Sequence, residues 1–170
     1  IVKYYYQRRS TFIKVSYDSI AQSDIPGCDS CLDLIASRQL FSVNTRGLQQ
    51  LNEYYNYTVG NRHQDSIISN IVNFYTTLMA EVDNFNHLID DDVVGNLTYW
   101  RDEYDWFTRL MQGTLGADDT KYFGSQNYRN RVAFHYVLIY EDYLPILEMF
   151  QKNSEKILKD LDERLKESSP

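Results

Sequence analysis

Between residues 65 and 90 an apolar side chain returns at every third or fourth position: Ile68, Ile71, Tyr75, Leu78, Val82, Phe85 and Ile89. Steps of three and four place these residues on one face of a 3.6-residue helix. Ile67, Val72, Met79 and Leu88 widen the stripe to the breadth of a helix that packs in a bundle. A helix with such a face must bury it against another element. The same spacing recurs along nearly the whole chain. It predicts helices over 2–23, from 29 or 30 to 42, from 44 or 45 to 57, over 65–90, over 92–112 and over 127–167.

The punctuation agrees. The 170 residues include only 7 Gly and 3 Pro, too few for an all-β chain with many tight turns. Most fall where the stripes break: Pro26-Gly27, Gly60, Gly113, Gly116 and Gly124. Pro145 lies inside the last predicted helix and is expected to kink or split it. Asp90-Asp91-Asp92 would oppose the negative end of the helix dipole if it closed a helix. The triplet is therefore assigned to the start of the following one, which makes 65–112 an antiparallel helical hairpin. The fold class expected is all-α, a bundle of five to six helices in a single domain over 1–170, with sub-lobes 1–60 and 61–170 as the alternative division.

Asp and Glu number 24 against 17 Lys and Arg, a formal charge of −7. Phosphate backbones are bound mainly through Lys and Arg, so nucleic acid is disfavoured as a partner. Anionic membrane surfaces are disfavoured for the same reason. No stretch approaches the 18 or so apolar residues of a membrane span. The 43% apolar fraction is too high for a disordered chain.

Motifs that carry chemistry are sparse. There is no Gly-x-Ser-x-Gly elbow and no glycine-rich phosphate loop. No Glu-x-x-His is present for a di-iron bundle. Asp83 and His87 share a helical face but read as a solvated pair. Asp90–Asp92 and Asp118-Asp119 lack the alternating ligands of a calcium loop. No catalytic residue, metal or cofactor is expected. The cysteines, Cys28 and Cys31, form a Cys-x-x-Cys, which serves as a redox pair, half a zinc site or a local disulfide. With no partner ligands in sight, a local disulfide at a helix start is the expectation. Asn56-Tyr57-Thr58 and Asn96-Leu97-Thr98 are glycosylation sequons. A start at Ile1 rather than Met reads as a removed leader or as an excised domain, and the sequons favour the first, a secreted glycoprotein.

Tyrosine is the unusual component: 15 residues, beside 8 Phe and 2 Trp. A helix turns only part of each cluster inward, and Tyr and Trp are favoured at interaction hot spots. Tyr4, Tyr57, Tyr99, Trp106, Tyr122 and Phe123 are the residues expected to form a binding face. The irregular segment 113–124 is a second place to look for function. The function expected is a secreted, non-enzymatic helical protein that engages another extracellular protein through aromatic side chains. One alternative is a carrier of a small apolar ligand between helices. The other is a thiol-redox enzyme centred on Cys28 and Cys31.

Overall fold

The computed structural model describes residues 1–17, 20–21, 23–44, 46–57 and 62–167. The side chains of 26, 29, 52, 54–57, 62–67, 164, 165 and 167 lie outside the described residues, and with them the sequon residue Asn56, Tyr57 and the predicted break at Gly60. Among the described residues the structure is helical, with no strand. The α-helices are α1 (Val2–Ser16), α2 (Asp29–Leu32), α3 (Arg46–Tyr57), α4 (Arg62–Glu103), α5 (Phe107–Met111), α6 (Gln126–Tyr136) and α7 (Leu144–Glu167). Short 3₁₀ turns cover Ile25–Gly27 and Asp119–Gly124, and a π-helical stretch, Val137–Tyr143, joins α6 to α7.

The chain divides into two compact units, each discontinuous in sequence. One comprises Ile1–Leu40 and Phe85–Leu144, the other Phe41–Asn84 and Pro145–Pro170. Neither follows the division at residue 60.

The predicted hairpin is not present. α4 runs unbroken from Arg62 to Glu103, straight through the aspartate triplet. Two of the three charges, Asp90 and Asp92, find partners along the helix instead of at an end. Asp90 pairs with Arg38, and Asp92 accepts a hydrogen bond from His135, at 2.6 Å. A carboxylate held by a cation or imidazole needs no helix N-terminus to stabilise it.

Two other boundaries move for similar reasons. The first helix was expected to reach residue 23 and stops at Ser16. The buried guanidinium of Arg129 donates to the Val15 carbonyl at 3.0 Å and the Ile20 carbonyl at 2.6 Å, so side-chain donors replace the next helical turn. The second helix was expected to reach residue 42 and lasts one turn. Within that turn, Tyr128 takes the carbonyl of Cys31. The Asn96 amide donates to that of Ile35 at 3.4 Å. The Tyr5 hydroxyl serves both backbone groups of Gln39, each at 2.9 Å. The segment meets its obligatory backbone bonds through other helices' side chains.

Pro145 does not interrupt the helical course; the winding changes before it. It has no N–H to give the carbonyl of Glu141, and its ring crowds that turn. The wider π winding of Val137–Tyr143 precedes it and delivers the proline into the first turn of α7.

Candidate functional site

In the unit of Ile1–Leu40 and Phe85–Leu144, aromatic rings fill the interior. Trp100 is fully buried. Its indole meets Trp106, Tyr122, Phe123 and Tyr128 at centroid separations of 5.6–6.5 Å, and Tyr104 stacks on Trp106 at 4.8 Å. Tyr5 and Phe12 from α1 meet Tyr140 edge-on. Burial pushes the Tyr5 hydroxyl up to about 12, partly opposed by its bond to the Gln39 backbone. Burial also raises Tyr128 and Tyr140.

This arrangement redistributes the predicted binding residues. Trp106 and Tyr122 are only 7% exposed and Phe123 is fully buried, so all three belong to the core rather than to a binding face. Tyr99 is half-buried, with the Arg131 guanidinium 3.9 Å from its ring centroid. Tyr4 is half-buried, its hydroxyl 3.2 Å from Ser37.

Segment 113–124 is closed rather than irregular. Gly113 takes φ +67° just after α5, where glycine is the least strained residue. Arg109 grips the Asp119 carboxylate with two N–H bonds, at 2.8 and 2.6 Å, and the Gly116 N–H adds a third at 2.9 Å. These hold the Asp119 carboxyl down at about 2, the guanidinium contributing most and the amide second. The outer side of this clamp is an open trough of about 870 Å³ walled by glycine, alanine, serine and threonine. Its Lys121 is paired with Asp118 at 2.7 Å.

A polar chain crosses the interior between α4 and α6. Arg131 donates to Asn96 (2.7 Å), Asn96 to Asp92 (3.1 Å), and His135 to the same Asp92 oxygen (2.6 Å). Phe12 stacks on the imidazole at 5.9 Å. The second ring nitrogen of His135, Nε2, is buried and has no hydrogen-bond partner among the described residues. An aspartate–histidine pair is the orienting half of a general base; among the described residues no hydroxyl or thiol is hydrogen-bonded to the imidazole, which is fully buried. The pair ties α4 to α6.

The same chain corrects a sequence expectation. Asn96 is 2% exposed, with both ends of its amide hydrogen-bonded. A folded chain cannot present it for glycosylation. The Cys28 and Cys31 sulfurs lie at disulfide distance. Cys31 is 1% exposed, which shields one sulfur from the attacking thiolate that exchange requires. Asp83 and His87 are both solvent-exposed. Among the described residues, no three His, Cys, Asp or Glu side chains converge to hold a metal ion, and no helix is long and apolar enough to cross a membrane.

The aromatic surface that does exist was missed in the sequence. Tyr6, Ile13 and Tyr17 lie at i, i+7 and i+11 on α1 and its C-cap, and all three are exposed, Tyr17 at 67%. The Tyr17 ring continues onto Tyr136 of α6 at 6.2 Å. Tyr6 and Ile13 read as core because α1 carries two adjacent apolar lanes. Tyr5, Phe12 and Val15 take the inner one. The missed signal was the paired i, i+7 sets 5/12 and 6/13, only one of which one helix face can bury. The charge on this helix is also distinct. Residues 1–17 contain no Asp or Glu; all 24 lie beyond. Arg8 is paired with Asp33 at 2.8 Å, whereas Lys3 and Lys14 are exposed beside the outer lane.

No family model, curated protein or solved structure matches the chain.

Proposed function

We propose that the chain is a secreted, non-catalytic helical binding protein that engages another protein through the outer lane of α1. The observation that carries this reading is the exposed Tyr6–Ile13–Tyr17 lane, bordered by Lys3 and Lys14, on an acid-free helix of an acidic chain. Tyrosines with an apolar body and a polar tip are favoured at binding hot spots. The flanking lysines select a partner whose apolar groove has an acidic rim, since complementary charge steers encounter and rejects wrong partners. Secretion is supported by the Cys28–Cys31 pair at disulfide distance, because such bonds persist in oxidising compartments.

The test compares the wild-type chain with a Tyr6→Ser, Ile13→Ser, Tyr17→Ser variant in affinity capture from extracellular fluid, read by quantitative mass spectrometry. All three positions are on the surface, so circular dichroism should be unchanged. At least one protein should bind the wild type and be depleted about tenfold or more with the variant. Identical capture by both chains would overturn the reading.

A further inference from the structure

We propose that the cavity between α3 and α4 is a binding site for one small, uncharged, largely apolar molecule, of the size of a single ring with a short substituent. It lies wholly within the unit of Phe41–Asn84 and Pro145–Pro170 and is independent of the α1 surface. Its volume is about 240 Å³.

The sequence makes this space in a definite way. Leu48 and Leu51 stand at i, i+3 on α3. Ile71, Tyr75 and Met79 stand at i, i+4 and i+8 on α4, with Val43 closing one side. Gly47 faces the same space, and a Cβ placed on it would meet nothing within 4 Å. Tyr75 cannot easily swing in to fill that space. Its ring is held edge-on by Phe74 at 5.2 Å and by Phe150 at 5.6 Å.

The lining defines the occupant. Among the described lining residues none carries a charge, so an ionised ligand would find no counter-charge from them. Among the described lining residues, side-chain N or O atoms come from Asn44 and Tyr75. Asn44 Oδ1 already accepts the Arg46 N–H at 3.0 Å, which leaves its amide N–H as a donor. Two polar residues can serve one hydroxyl or one water molecule. A water molecule's share of liquid volume is about 30 Å³, and apolar space of about 150 Å³ stays dry and takes benzene. The remaining volume here suits a hydrocarbon body. The pocket opens to solvent past Asn44 and Gly47, which are exposed, and an occupant that binds only the folded state stabilises it.

The experiment is a methyl-resolved NMR titration of the full chain with toluene, p-cresol and benzoate. Toluene and p-cresol should shift the methyl resonances of Leu48, Leu51, Ile71 and Met79 saturably. Benzoate should bind at least about tenfold more weakly. Gly47→Leu places a side chain in the cavity and should raise the Kd for both neutral probes about tenfold or more, with the melting temperature held or raised. Leu51→Phe fills the same space from another residue and should act alike. Gly95→Leu adds the same bulk at an exposed helix position in the other unit and should leave binding unchanged. Absence of saturable shifts up to probe solubility would overturn the proposal. So would equal affinity in both cavity-filling variants, or equal affinity for benzoate.

Discussion

In one unit, tyrosine hydroxyls, an asparagine and an arginine carry hydrogen bonds into an aromatic interior; in the other, Phe41, Phe74 and Tyr75 gather on Phe150 beside a partly empty aliphatic space. The first interior is specified atom by atom. Each buried hydroxyl or guanidinium needs its particular carbonyl, and losing that partner leaves a desolvated polar group. The second is specified by shape and volume, which apolar side chains satisfy in more than one way. The two should therefore fail differently.

The largest difference should appear in alkali. Tyr5, Tyr128 and Tyr140 all lie in the first unit and are held neutral by burial, Tyr5 up to about 12. A group whose pKa is raised on folding stabilises the fold fully below its unfolded value, about 10 for tyrosine, and loses that contribution as pH climbs through the folded value. Tyrosinate absorbance should lag behind a free-tyrosine curve above about pH 10 and then rise with cooperative loss of helix by circular dichroism. Smooth titration of every tyrosine near pH 10 with helix intact would erase the contrast.

Next comes Trp100→Ala, which empties the centre of the aromatic cluster and should cost about 3–5 kcal/mol in chemical denaturation. Arg129→Met keeps much of the volume but removes the donors to Val15 and Ile20. It should cost about 2–3 kcal/mol, and amide exchange should quicken at the end of α1. Smallest is Phe150→Leu in the other unit, a hydrophobic swap that should cost about 1 kcal/mol. A loss there as large as that from Trp100→Ala would show that the second interior is as closely specified as the first.

These contrasts also explain what could be read from the sequence. Apolar period reports which faces seek burial, so the helical class, the helical course over 126–167 and the start of α3 were legible. Period says nothing about where a carbonyl finds its donor. The end of α1, the single turn of α2 and the unbroken course of α4 all depend on bonds between residues far apart in sequence: Arg129 to Val15, Asn96 to Ile35, His135 to Asp92. Asn96 shows the limit most clearly. As part of a three-residue motif it reads as a surface acceptor for sugar, and only the fold shows it enclosed. The binding face was misplaced for a related reason. Counting tyrosines located the aromatic segments but could not rank two adjacent lanes of one helix.

The bonds to Cys31, Ile35 and Gln39 have an evolutionary consequence. Carbonyls four residues apart are gripped by Tyr128, Asn96 and Tyr5, and every amino acid supplies the same carbonyl. The gripping side chains cannot be exchanged without loss, whereas the gripped residue at position 39, itself exposed, is free to drift. Mutational tolerance should thus be lopsided across the contact at Gln39. Variation should collect at that exposed position, while the buried Cys31 and Ile35 and the three residues that reach for the strip stay fixed.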